Sequence, residues 1–443
     1  MKYTRDLQVK GRYDVIVIGG GTAGVMAAVA AHRENAKVLI IEQFGGLGGS
    51  ASMSLVMPLM SIYIKGKTGH SRLSNELSER MRALGGMNGN DHYFDPLLLQ
   101  KALEDMAIGC DVLYHTTLVD CVVENGEISA IIVANKDGLS VYQAKCYIDA
   151  TGDADVAYKA GVECRSGNPK DGTNQPVSLR FEMAGIDMEA VKTQLLEHGI
   201  DFSGYFDMNF PFISNLLQQA YKENILTEQD IEYVQAFPIP GRNDAMSFNC
   251  PELAPSVRVN SIENLSRYQR EGKSAVIRMR NFFKKYIRGF ENSYITSIAP
   301  MVGIRESRRI NARYVMHVED VLTYRKFEDA IVSTNYPLDV HGENEEAEGL
   351  SEAYEKMLPE TEKYWQIPFR VMIAENISNL LVAGRSAGFD FLTQSAARIQ
   401  LICRAMGEAA GVCAGYLVKE DKVNFHVMNL SEVMPRVQNV LEK

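Results

Sequence analysis

The chain has no C-x-x-C pair. Its seven cysteines, Cys110, Cys121, Cys146, Cys164, Cys250, Cys403 and Cys413, are odd in number and scattered, so neither a disulfide framework nor a thiolate metal site is indicated. No metal ligand set is expected, and the thiols read as buried and reduced. An excess of basic charge is also missing. A formal net charge of -10 argues against a footprint for nucleic acid or an anionic membrane. The first eleven residues are polar and lack the apolar stretch of a secretory signal, so a cytoplasmic location is expected, without membrane insertion. What is present is an ordinary globular composition, 46% hydrophobic and 23% charged, on 443 residues, more than one hydrophobic core usually serves. Two lobes are therefore expected.

Asp14 to Ile18 reads as a buried strand and Ala23 to Glu34 as a packed helix. Lys37 to Ile41 reads as the next strand. This βαβ unit predicts an α/β fold with a parallel sheet covered on both faces. Later strands are expected at Val112 to Tyr114, Ile128 to Val133, Val141 to Ile148 and Asn379 to Ala383, with a long helix from Ser395 to Val418. Gly407, Gly411 and Gly415 leave one face of that helix bare for close backbone approach, while Arg404 and Glu408 argue against a membrane helix. From about Arg165 to Asp339 longer helical stretches and Pro-rich breaks suggest an inserted second domain. The Glu-rich run from Gly342 to Glu362 reads as a solvated loop or exposed helix.

Gly19-Gly20-Gly21-Thr22-Ala23-Gly24 fits G-x-G-x-x-G between a strand and a helix. Gly19 permits the turn, Gly21 the approach of a pyrophosphate, and Gly24 close helix packing, while the helix amino terminus attracts the phosphates. Glu42, at the end of the second strand, can accept from ribose hydroxyls. This motif alone does not separate FAD from NAD. A second Gly-rich loop, Gly45-Gly46-Leu47-Gly48-Gly49-Ser50-Ala51-Ser52, favours the longer dinucleotide, because a ribityl chain and flavin ring need bare backbone there. Two more strand ends carry small residues, Ile148-Asp149-Ala150-Thr151-Gly152-Asp153 and Leu380-Leu381-Val382-Ala383-Gly384-Arg385.

Together these four loops resemble the glutathione-reductase-type flavoprotein fold, and more closely the broad family of FAD-dependent oxidoreductases, distantly similar to fumarate reductase flavoproteins. Gln175 to Phe181, Ile304 to Ile310, Tyr336 to His341, Ile367 to Arg370 and Asn379 to Arg398 also look like family segments, whereas Ala184 to Val302 has no detailed match. The resemblance implies a Rossmann-like FAD-binding domain, 1–164 and 340–443, enclosing a substrate domain at 165–339. It implies FAD held by Gly19, Gly21, Gly24, Glu42, Gly48, Gly49, Asp153, Gly384 and Arg385, with Thr22, Ala23, Gln43 and Ser50 beside them. Leu118 is expected to offer backbone contacts to adenine, and Arg398 to face the flavin. Related flavoproteins attach FAD through a histidine after the second Gly-rich loop. Ser50-Ala51-Ser52-Met53 stands there, so non-covalent FAD is expected.

The expected reaction is hydride transfer between a small organic substrate and the flavin. Without a second dinucleotide fingerprint or a dithiol, electrons enter from the substrate itself and leave to oxygen, a quinone or a protein carrier, among which the sequence does not choose. Arg305, Arg308 and His341 are the candidate catalytic groups, since an arginine fork binds a carboxylate or polarises a carbonyl and a histidine exchanges protons near neutral pH. Equally open is that they pair with Glu306, Glu319 or Asp320, or satisfy a turn. Met53, Met57 and Met60 fit core filling better than a flavin pocket. Two further alternatives stand: a flavoprotein using FAD structurally or in a redox-neutral reaction, and a serine hydrolase built on Gly384-Arg385-Ser386-Ala387-Gly388, with His426 and either Asp390 or Asp421.

Overall fold

The structure is a computed structural model and describes residues 4–65, 67–68, 71–87, 89, 91–202, 205–342, 363–419 and 423–441. Most of the Glu-rich run, 343–362, lies outside the described residues, as does Asp421.

The first lobe is built on a seven-stranded sheet. β1 (Val9–Ile18) lies between β2 (Val38–Ile41) and β6 (Gly138–Asp149), parallel to both, and β3 (Asp111–Leu113) adds outside β2. Val15, Ile16 and Val17 are fully buried, as a strand covered on both faces requires. β6 changes partners along its length. Its first residues pair antiparallel with β5 (Glu127–Asn135), which pairs with β4 (Thr117–Glu124). Its last three residues run parallel to β12 (Leu380–Val382), numbered after the strands of the second lobe. Ile18 is level with Ile41 and Asp149, and Asp149 with Val382. Four strands from both ends of the sequence thus finish along one edge.

α1 (Thr22–Arg33) covers one face of this sheet. Against it packs α4 (Gln400–Leu417), and the expected long helix is two, α3 (Phe391–Ala397) and α4, separated where Ile399 turns extended at ψ 151°. The break differs from the expected continuous helix, since periodicity cannot register one extended residue between two helical runs. The glycine face packs as expected: a Cβ on Gly407 would stand 2.0 Å from the Ala23 carbonyl oxygen, and one on Gly411 2.1 Å from that of Ala27.

The second lobe holds its own core of Phe181, Phe206, Phe248, Phe282, Phe283 and Phe290, with Phe181 and Phe248 stacked at 4.6 Å. Beside helices Met188–Glu197, Pro211–Lys222 and α2 (Ile262–Tyr286) it contains an antiparallel sheet: β7 (Phe181–Ala184), β8 (Phe206–Asp207), β9 (Gln235–Pro238), β10 (Met246–Phe248) and β11 (Tyr294–Ile298), in spatial order β8-β9-β10-β7-β11. The helical reading of this region missed that sheet because strands of two to five residues are too short to show alternation. Met316, Val321, Ile331 and Val332 already belong to the core beneath α1 and α4, although they precede 339.

Candidate active site

The aligned strand ends deliver four loops to one place, the carboxyl edge where open α/β sheets bind ligands. Gly19 turns with φ +96°, and a Cβ on Gly24 would stand 1.8 Å from the Gly19 carbonyl oxygen, which enforces the small residue. Gly21 and Gly49 face each other: a Cβ on Gly49 would meet the Gly21 Cα at 2.8 Å. Gly21 caps α1 without a side-chain hydrogen bond, and no acidic residue occupies the first turn. The helix therefore presents uncapped N–H groups and its positive end to an anion. Thr22 Oγ1 lies 3.4 Å from the Gly48 carbonyl, and Ala23 sits beneath α4.

Glu42 is buried. Its Oε2 accepts from the Gly20 N–H at 2.8 Å and its Oε1 from the Phe44 N–H at 2.7 Å, while burial raises its pKa. Gln43 beside it is exposed. The Glu42 carbonyl accepts from Thr116, which brings the start of β4 alongside. Leu118 lies there, with its side chain in the core and its backbone paired to Val133. Asp149, which the motif reading quoted without assigning a task, organises the third loop: its buried carboxylate accepts from Thr151 N, Thr151 Oγ1 and Ala157 N at 3.0, 2.7 and 3.0 Å. Asp153 accepts from Ser307 Oγ at 2.5 Å and from Arg385 Nη2 at 2.9 Å. Arg385 also reaches Ser50 Oγ at 3.3 Å, so the second and fourth loops touch through one guanidinium, whose buried Nε has no partner among the described residues. Gly384 supplies the turn at φ +105°. Bare glycine backbone, an uncapped helix end and an uncommitted buried donor suit a diphosphate-linked dinucleotide such as FAD.

Beyond Arg398 the loops meet a polar cluster. Arg398 Nη2 donates to the Asp339 carbonyl at 2.8 Å and lies 3.1 Å from Asp339 Oδ2, which Tyr336 OH also reaches at 3.2 Å. His341 Nδ1 stands 2.7 Å from Glu252 Oε1, and Arg305 Nη2 2.6 Å from the same oxygen. Arg305 Nη1 donates to the Pro176 carbonyl at 2.7 Å. Burial lowers the His341 pKa, and the neighbouring Arg305 charge adds to that; Arg305 also holds Glu252 below the ordinary carboxylate range against its burial. The imidazole therefore stands between two carboxylates, with Nδ1 beside Glu252 and Nε2 3.5 Å from Asp339 Oδ1. The Tyr233 ring meets the imidazole edge to face at 5.1 Å.

The motif Ile304 to Ile310 divides by direction. Arg305 joins this cluster, whereas Arg308 does not: it pairs with Asp155 and lies 4.5 Å over the Tyr158 ring, near Asp153. Glu306 and Arg309 form a buried pair tied to Asn174 and Gly167. Glu252 gave no local signal, since it lies in a different part of the chain from every motif. Among the described residues Ser386 Oγ is buried without a partner, and His426 Nε2 bonds instead to the Ala374 carbonyl at 2.8 Å, so no hydrolase triad forms from them. Asp390 caps α3 through Thr393 and accepts from Val318. Among the described residues no helix is long and apolar enough to cross a membrane.

A family model described as FAD dependent oxidoreductase matches residues 14–441. Digeranylgeranylglycerophospholipid reductase 2 of Methanothermobacter thermautotrophicus is 27% identical over 194 residues, 40% of this chain and 48% of that protein. Thiamine thiazole synthase of Aeropyrum pernix is 33% identical over 123 residues, 28% of this chain and 44% of that protein. The chain spans less than half the length of these curated relatives. Among solved structures, a geranylgeranyl bacteriochlorophyll reductase-like protein from Thermoplasma acidophilum aligns with TM-score 0.47 and 13% identity, covering 98% of this chain and 84% of that one.

Proposed function

Because the chain belongs to the FAD dependent oxidoreductase family and is an FAD-using enzyme, we propose that it exchanges a hydride between a small organic substrate and non-covalently held flavin. FAD, when bound, supplies the hydride acceptor or donor at flavin N5. The observation that carries this reading is the His341–Glu252–Arg305 cluster, joined through Asp339 to Arg398 at the head of α4. In it His341, set between the Glu252 and Asp339 carboxylates, exchanges the proton that accompanies the hydride, and Arg305 keeps Glu252 ionised. Arg308 is left out because its partner is Asp155. The same reading assigns the dinucleotide to the four-loop edge and substrate choice to the second lobe, which has a separate core.

The test is anaerobic reduction of the bound flavin across a panel of small metabolites, repeated with His341→Ala. A substrate that bleaches the wild-type flavin, and bleaches the variant far more slowly at unchanged FAD content, supports the assignment. Near-normal reduction in the variant removes His341 from the chemistry.

A further inference from the structure

The stretch Gln175 to Arg180 runs beside the polar cluster. The Pro176 carbonyl accepts from Arg305, the Gln175 side chain accepts from the backbone N–H of His341 at 3.2 Å, and Ser178 exchanges backbone hydrogen bonds with Gly303 at 3.1 and 2.8 Å. Extended backbone sends alternate side chains to opposite faces. Val177 and Leu179 enter a small apolar core with Tyr268, so Ser178 and Arg180 take the other face. On that face a Cβ on Gly303 would stand 2.8 Å from Ser178 Oγ and 3.8 Å from the Ser54 side chain, which places it against the segment following the second Gly-rich loop.

Arg180 is 2% exposed, yet its Nε and Nη2 have no hydrogen-bond partner among the described residues. These two nitrogens form one edge of the guanidinium plane, the edge that grips a carboxylate through two parallel hydrogen bonds. Glu182, two residues along the chain, is committed elsewhere: its Oε2 lies 3.3 Å from Arg242 Nη1, within a cluster closed by Asp95. The Arg180 guanidinium stands 6.0 Å from the Phe237 ring centroid, and Tyr233, whose ring meets His341, is among the groups that act on it electrostatically. A buried cation with its bidentate edge unfilled costs several kcal/mol in isolation unless a ligand completes it.

We propose that Arg180 binds a carboxylate of the substrate side-on, making the enzyme one for organic acids and setting the reacting carbon beside His341. The inference rests on the functional reading above and narrows it to a substrate class. A planar monoanion fits the fork better than a phosphate dianion, since Arg305 and Arg398 already hold carboxylate partners, Glu252 and Asp339.

The test uses the FAD-loaded enzyme, with the visible spectrum of the bound flavin and the thermal midpoint as two readouts. Acetate, succinate, inorganic phosphate and chloride are titrated into wild type, Arg180→Lys and Arg180→Gln. A saturable response to a carboxylate in wild type is expected. Arg180→Gln should weaken it on the order of 30-fold or more, as loss of one partner of a buried charged pair does. Arg180→Lys should recover only part, because an ammonium keeps the charge and loses the fork. FAD content should stay unchanged in both variants. A response to phosphate alone, a wild-type enzyme blind to every carboxylate, or variants that keep wild-type carboxylate affinity would each overturn the proposal. Variants that shed FAD would overturn it differently, by assigning the fork to the flavin. A wild-type chain that binds no FAD would instead sink the functional reading beneath it.

Discussion

Gly407→Ala is the smallest change that connects helix packing to cofactor binding. The added methyl carbon would stand 2.0 Å from the Ala23 carbonyl oxygen and 2.9 Å from the Ala23 Cα. Side-chain carbons do not approach other atoms below 3.0 Å, so α4 must retreat from α1 by about 1 Å. The obstructing atom is backbone and cannot swing aside. Overpacking of this kind costs about 1–3 kcal/mol, and the upper end applies here. Replacing a helical glycine by alanine returns about 1 kcal/mol. The net expectation is a loss of about 2 kcal/mol in urea unfolding. Because Ala23 lies within the fingerprint at the end of α1 proposed to hold the phosphates, FAD affinity should also fall about tenfold, equivalent to about 1.4 kcal/mol. Gly411→Ala meets the Ala27 carbonyl at 2.1 Å, one turn farther along, and should cost similar stability with a smaller effect on FAD. Equilibrium unfolding and flavin-fluorescence titration measure both quantities. A Gly407→Ala protein with the wild-type unfolding midpoint and FAD affinity would refute the packing argument.

Glu42→Gln keeps the shape of the carboxylate but sets an NH2 donor against one of the two backbone N–H groups that Glu42 accepts from, so it should destabilise the fold by about 1.5–3 kcal/mol and weaken FAD binding, with Glu42→Arg worse still; unchanged FAD retention in both would remove Glu42 from the site. Asp153→Asn should loosen FAD by replacing the anionic acceptor that Arg385 and Ser307 share with a neutral amide, checked by the rate of flavin release on dilution, and a release rate equal to wild type would count against it. His341 is held neutral in the fold by burial and by Arg305, so its pKa lies below its unfolded value. Its contribution to stability is therefore present above the unfolded pKa of about 6.5 and lost as pH falls through that value toward the folded one. His341→Gln should flatten this acid-side slope in pH-dependent unfolding, and an unaltered slope would show that the imidazole is not so held. NADH and NADPH should reduce the flavin slowly, since no second dinucleotide fingerprint exists in the sequence; rapid saturable reduction by either would contradict this.

The glycine-rich edge of the first sheet was legible because its signal is local. A strand, a glycine turn and a helix start stand within sixteen residues at Val9 to Gly24, and Glu42 ends the next strand. The glycine face of α4 was readable for the same reason, since Gly407, Gly411 and Gly415 repeat at helical spacing. What could not be read is assembled across distance. Glu252 meets His341 and Arg305 only through the fold. Arg308 and Arg305, three residues apart in one motif, point to different carboxylates. The five-stranded sheet of the second lobe escaped notice because its strands are short and its Phe-rich core mixes helix and strand positions.

In the proposed function, four loops from both ends of the chain hold FAD for substrate redox chemistry. The most direct measurement is the flavin content of the purified protein, followed by anaerobic titration with small organic acids. A yellow protein is expected, with FAD released intact by acid precipitation, because Ser50 to Met53 offer no histidine tether, and with its flavin bleached by at least one acid without oxygen. A colourless protein that cannot be reconstituted with FAD would contradict it.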